Sequence, residues 1–218
     1  MQAPGQTHDA PLDALLGRYA AGALDPALHA LVAAHLEMKP DNRSFVRALE
    51  GLEADRLLET PATPMNGREA VLARIFAEAP SRSQPARMAH GSELPFAIRR
   101  FIGRDLNGVA WKSLLPGVRE CKFGSTDGAE ASLLWIGAGK AVPSHTHDGA
   151  ETTLVLRGAF SDLHGHYEPG DIAFADSDVD HKPVVDKGGD CICFAVTEGH
   201  LHLTGPVGRI IDRFFGPR

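Results

Sequence analysis

Between Leu12 and Ala79 apolar residues recur at the three- and four-residue spacing of helices, and no strand-like alternation interrupts them. Four helices are predicted. The first carries Leu12, Leu15, Leu16 and Tyr19 and stops near Gly22. The second opens at Asp25-Pro26, where a carboxylate can accept backbone N–H groups and proline presets φ, and it turns Leu28, Leu31, Val32, His35 and Leu36 to one face. Past Pro40, Asp41 or Asn42 can cap a third helix striped with Phe45, Ala48, Leu49 and Leu52. A fourth, after Pro61, Pro64 and Gly67, carries Val71, Leu72, Ile75 and Phe76.

From Pro80 to Glu93 the chain is rich in Pro and Ser, locally basic and almost without apolar residues, the pattern of a solvated linker. Beyond Phe101 the pattern changes to short alternating or wholly apolar runs with turn residues every ten or so positions, which predicts an antiparallel β barrel or sandwich. Candidate strands are Val109 to Leu114, Val118 to Phe123, Glu130 to Ile136, Thr152 to Phe160, Asp171 to Ala175 and Cys191 to Thr197. A terminal run, Arg209 to Phe215, reads as an amphipathic tail packed on the barrel. The expected fold is therefore α+β and multidomain: a helical domain over residues 1–79, a linker over 80–94 and a β domain over 95–218.

Composition narrows the function. The 218 residues hold 22 Lys and Arg against 28 Asp and Glu, a formal net charge of -6, which argues against nucleic acid as the direct partner. No apolar run nears the roughly 20 residues of a membrane span, and the first ten residues lack the order of a signal peptide, so a cytoplasmic protein is expected. Three cysteines make no disulfide framework. Cys191 and Cys193 share one face of an apolar strand and read as two small buried hydrophobes, with a redox-sensitive pair as the alternative. Eleven histidines are the unusual feature, because imidazole ligates metals.

The strongest chemical signal is the run from Gly139 to Gly158. On a strand His145 and His147 face the same side, and Glu151, just beyond the Asp148-Gly149 reversal, can return to them. His181, after an acidic loop, is the best-placed fourth ligand. Three imidazoles and a carboxylate suit Zn, Fe, Ni, Mn or Cu, and ligand type alone does not choose among them. One divalent metal is expected, zinc first, then Fe, Ni or Mn. The histidines of the pairs His164/His166 and His200/His202 read as solvated or edge residues, and His8, His29 and His90 stand alone.

The same run resembles the first cupin motif: a Gly, five residues, His-x-His, three residues, Glu, six residues, Gly. Pro169-Gly170-Asp171 resembles the turn of the second motif, with His181 further downstream than in its compact form. An N-terminal helical bundle joined to such a barrel resembles the ChrR family of anti-sigma factors. The likeness rests on Asp13 to Gly22, His35 in its Ala-Ala-His-Leu context, Leu133 to Ile136, Ala141 to Pro143, Thr153 to Leu156, Gly158 to Phe160, Gly170 to Ile172 and Asp190 to Cys193. It implies that the helical domain binds an extracytoplasmic-function sigma factor, that the cupin domain takes part in sensing an oxidative or chemical signal, and that His145, His147, Glu151 and His181 hold its metal. No catalytic residue is implied. The family also places zinc in the helical domain through an H-x-x-x-C-x-x-C motif and an earlier His. Here His35 is followed by Lys39 and Asn42 where the cysteines would stand, so no zinc is expected there. The alternative is a cupin metalloenzyme, a dioxygenase or hydrolase of a small molecule, with Tyr167, His166 or Glu198 as a second catalytic group.

Overall fold

The structure is a computed structural model that describes residues 10–64, 66–77, 92–126 and 128–204. His8, His90, most of the linker and the run from Arg209 to Phe215 lie outside the described residues.

Among the described residues five α-helices form: α1 (Ala10–Ala20), α2 (Pro26–Met38), α3 (Arg43–Glu59), α4 (Arg68–Ala77) and α5 (Phe96–Ile102). Asp25 starts α2 as its position predicts, its Oδ1 accepting the N–H groups of Ala27 (2.9 Å) and Leu28 (3.1 Å). α2 is buried on nearly every side, through Ala27, Leu28, Ala30, Leu31, Val32, Ala34, His35 and Leu36, as a helix apolar all round must be. Asn42 stands at the N-cap of α3, yet its side chain caps no N–H group of that helix. Only Val46 of α3 is buried and no residue of α4 is. The stripes predicted for these two helices are therefore real at helical spacing but face solvent over most of their length.

The β half begins with β1 (Lys112–Leu115), β2 (Val118–Thr126), β3 (Ala129–Ile136), β4 (His145–His147), β5 (Glu151–Arg157) and β6 (Phe160–Ser161). It continues with β7 (His166–Tyr167), β8 (Ile172–Ala175), β9 (Val184–Val185), β10 (Cys191–Glu198) and β11 (Leu201–Leu203). Six of these make an antiparallel sheet in the order β1-β2-β3-β10-β5-β8, while β7-β6-β9 and β11-β4 make two smaller sheets. The predicted strand from Thr152 to Phe160 is broken at Gly158, whose φ is 73° and where a Cβ would strike the Asp190 carbonyl and lie 2.9 Å from Cys191 Cα. Only glycine permits that approach of two chain segments.

Alternation along the large sheet sorts its side chains into two cores. Leu133, Leu154, Leu156, Ile172, Ile192, Phe194 and Val196 join one buried cluster with Leu15, Leu16, Leu28, Leu31, Val32, Ile98 and Ile102 of the helices. The opposite face gives Val118, Ile136, Val155, Cys191 and Cys193 to a second cluster with Phe160 and Val185. β10 is buried on both faces from Cys191 to Val196, and over those residues its sequence is apolar without interruption. α5 packs on α2 and presents Phe101 edge-on to Phe194 at 5.8 Å between ring centroids.

Candidate metal centre

β4 and β5 bring three of the four sequence-predicted ligands together, and a backbone pair supplies the last. The His145 N–H donates to the His181 carbonyl, and the His181 N–H to the His145 carbonyl, both at 3.1 Å. This pairing, and not the length of the loop before it, places His181 beside β4. The donor atoms of His145, His147, Glu151 and His181 all lie within 4.8 Å of one another. Glu151 Oε2 is 3.5 Å from His147 Nε2 and 3.7 Å from His181 Nε2, and His181 Nε2 is 2.9 Å from His145 Nε2. Tetrahedral bonds of about 2.0–2.1 Å to zinc would separate ligand atoms by roughly 3.4 Å, so this spacing is of the right size for a metal ion.

The surroundings fix which nitrogens face the centre. His145 Nδ1 donates to the Pro143 carbonyl at 2.8 Å, which turns Nε2 toward His181 and the centre. His181 Nδ1 lies 3.6 Å from Asp162 Oδ2, and the other oxygen of Asp162 accepts N–H groups of His164 and Gly165. Asp162 was not singled out from the sequence, but an outer carboxylate beside a ligating imidazole is the usual way a metal-binding histidine is oriented. His147 is buried with neither ring nitrogen hydrogen bonded, and a metal ion at the centre would satisfy the nitrogen that faces it. Burial opposes ionisation of Glu151, but the imidazoles of His147, His145 and His181 outweigh it and hold the carboxyl below its ordinary 4.5. His145 is held below its ordinary 6.5 by burial, the neutral form a metal requires.

A cavity of about 780 Å³ opens beside the cluster. Leu115, Val118, Leu134, Ile136 and Phe160 give it apolar walls, and His145, Glu151 and His181 reach it. Tyr167, His166 and Glu198 are not among its lining residues. Tyr167 stacks on Phe160, and the exposed His166 pairs with Asp186 at 3.0 Å. His202 pairs with Asp148 at 2.7 Å, so these histidines take the edge roles expected of them. Cys191 and Cys193 are buried and free, with sulfurs 3.5 Å apart. Contact with Cys191 and burial push the Cys193 thiol well above its ordinary 9.0, which keeps it protonated.

In the helical half, His35 is buried at the end of α2 with Asn42 beside it and Lys39 one turn on; His35 and Lys39 meet the turn before β8, and Asn42 bonds to His35.

A two-layered antiparallel barrel with three histidines and a glutamate converging on its cavity, covered by a helical unit on its outer face, defines a cupin joined to a helical domain. Residues 100–202 match the ChrR cupin-like domain family. The anti-sigma-E factor ChrR of Cereibacter sphaeroides is 38% identical over 206 residues, spanning 93% of this chain and 95% of that protein. The chain belongs to the ChrR family of anti-sigma factors. A crystal structure of Rhodobacter sphaeroides SigE in complex with the anti-sigma ChrR superposes with a TM-score of 0.72 at 37% identity, covering 85% of this chain and 96% of that one.

Proposed function

We propose that the chain is an anti-sigma factor whose helical unit, within residues 1–79, holds an extracytoplasmic-function sigma factor off RNA polymerase. Residues 80–94 connect that unit to the cupin of residues 95–218, which takes part in sensing an oxidative or chemical signal. The observation that carries this reading is the exposed apolar face of α3 and α4, which has no partner among the described residues. Leu58 is 84% and Phe76 82% exposed, with Leu52, Leu57 and Ile75 also open to solvent. Apolar side chains repeated along two helices fit burial against a partner's groove. The occupant is a sigma factor, because a relative that matches this chain over 85% of its length is seated on one.

In this reading His145, His147, Glu151 and His181 hold one divalent metal, zinc first among zinc, iron, nickel and manganese, on the donor set and on the orphaned imidazole of His147. The metal would supply a Lewis-acidic centre at the cavity wall. The helical unit is read as zinc-free, since Lys39 offers an ammonium and Asn42 an amide where two thiolates would be needed. A partner that works on RNA polymerase puts the chain in the cytoplasm, without direct contact to nucleic acid. No helix among the described residues is long and apolar enough to cross a membrane. The cavity is what an enzyme would need, but none of the three groups weighed as its second catalytic residue lines it.

Co-expression with extracytoplasmic-function sigma factors, SigE included, tests the reading. A one-to-one complex that suppresses run-off transcription is expected. Absence of a complex with every sigma factor tried would overturn it.

A further inference from the structure

The C-terminal end of α2 touches the barrel at one turn, Gly170-Asp171, and the contact is built from four interlocking features. Gly170 has φ 89°, and a Cβ there would lie 2.8 Å from Lys39 Cγ and 3.2 Å from Met38 Cβ, so the approach of helix to turn is as close as glycine allows. Its carbonyl accepts a hydrogen bond from His35 Nδ1 at 2.7 Å, and the other ring nitrogen, Nε2, accepts from Asn42 Nδ2 at 2.8 Å. Lys39 Nζ pairs with Asp171 Oδ1, while Asp171 Oδ2 closes the turn on the Glu168 N–H at 2.8 Å. Asn42 occupies a helix N-cap position but gives its amide to His35 and leaves the helix uncapped by a side chain.

Those bonds demand one form of the imidazole, neutral with its proton on Nδ1. Burial pushes His35 below its ordinary 6.5, with the Gly170 carbonyl and Asp171 opposing and Lys39 assisting. The turn they grip is tied to the cavity. Gly170 N–H donates to the Val155 carbonyl and Val155 N–H to the Asp171 carbonyl. From there β8 runs as the edge strand of the large sheet, and its far end pairs Ala175 with Glu151. Ala173, Phe174 and Ala175 line the cavity beside the four-residue cluster. An edge strand is hydrogen bonded on one side only, so β8, like β1 at the other edge, is a part of the cavity wall that shifts at the loss of few bonds.

We propose that His35, Lys39 and Asn42 are a clasp on the Gly170-Asp171 turn, positioning residues that carry the state of the barrel cavity through β8 to the helices. That the helices in turn hold a sigma factor rests on the reading above, whereas the clasp stands on its own contacts. Closing it fixes the C-terminal end of α2 and the start of α3; opening it frees that end and the start of α3, while the apolar face of α2 stays packed on the sheet.

Hydrogen exchange on the full-length chain tests this, with the cavity perturbed in two ways: zinc-loaded against zinc-stripped protein, and Glu151→Gln, which alters the wall with or without metal. In the wild type either perturbation is expected to speed exchange over residues 36–46 by about fivefold or more. In Lys39→Ala/Asn42→Ala that segment exchanges fast in every state while zinc content is unchanged. Asp171→Asn, which keeps the shape of the turn and removes only the ion pair, gives an intermediate response and guards against misfolding of the double variant. Unchanged exchange over residues 36–46 when β5 and β8 respond, or coupling that survives in the double variant, overturns the clasp. Neither result depends on sigma binding, and failure to bind a sigma factor would leave both standing.

Discussion

His147 is completely enclosed and makes no hydrogen bond, an arrangement that costs roughly 1–3 kcal/mol unless something occupies the space its nitrogens face. Purified chain is therefore expected to hold one zinc by elemental analysis, and His147→Ala to hold none. Asp162→Ala, which removes the carboxylate behind His181 together with the cap of its own turn, should keep the site at about 10–100-fold lower affinity in a chelator competition. Two metals per wild-type chain would refute the reading of Lys39 and Asn42. His145, His147 and Glu151 were legible in the sequence because a strand fixes the side of alternate residues and a tight reversal fixes the return. His181 stood out only as the best-placed remaining histidine and through the family resemblance, because a long-range backbone pairing brings it in. Asp162 was not legible, because it lies 19 residues before His181 and reaches it only through the turn that Asp162 itself closes on His164 and Gly165.

Long elements carry their own signal, and here the long helices and strands stand where periodicity puts them. The short ones do not advertise themselves. β4, β6, β7, β9 and β11 are two or three residues long and exist through their partners in the smaller sheets. α5 is seven residues and has no capping side chain of its own. Its first N–H groups, on Phe96 and Ala97, are taken by the Glu37 carboxylate at 2.7 and 2.9 Å, from a helix some sixty positions earlier in the chain. That carboxylate also complements the positive end of the α5 dipole. Glu37→Ala is expected to cost about 1 kcal/mol, lowering the melting temperature by about 2–4 °C with zinc content unchanged. An unaltered melting curve would mean that solvent serves those N–H groups as well as Glu37 does.

Across the whole molecule the helices divide by what they bury. α1, α2 and α5 share a core with the large sheet, so the helical half and the barrel meet through a packed interface as well as through the polar turn at Gly170. α3 and α4 contribute almost nothing to that core and hold their apolar side chains outward. The same periodicity produced both groups, which is why the sequence predicted a bundle and could not say which faces close on the chain itself. The distinction gives a prediction about function separable from stability. Leu58→Ser with Phe76→Ser removes two side chains more than four-fifths exposed, so unfolding free energy should stay within about 0.5 kcal/mol of wild type. Two apolar anchors lost from a partner interface should weaken sigma binding by about 100-fold or more. Leu31→Ser, at a fully buried position of α2, should do the reverse in order: unfold the chain first and lose sigma binding as a consequence. Titration calorimetry beside denaturant melts separates the cases, and a surface variant that melts early while binding normally would place the apolar face inside the fold instead of against a partner.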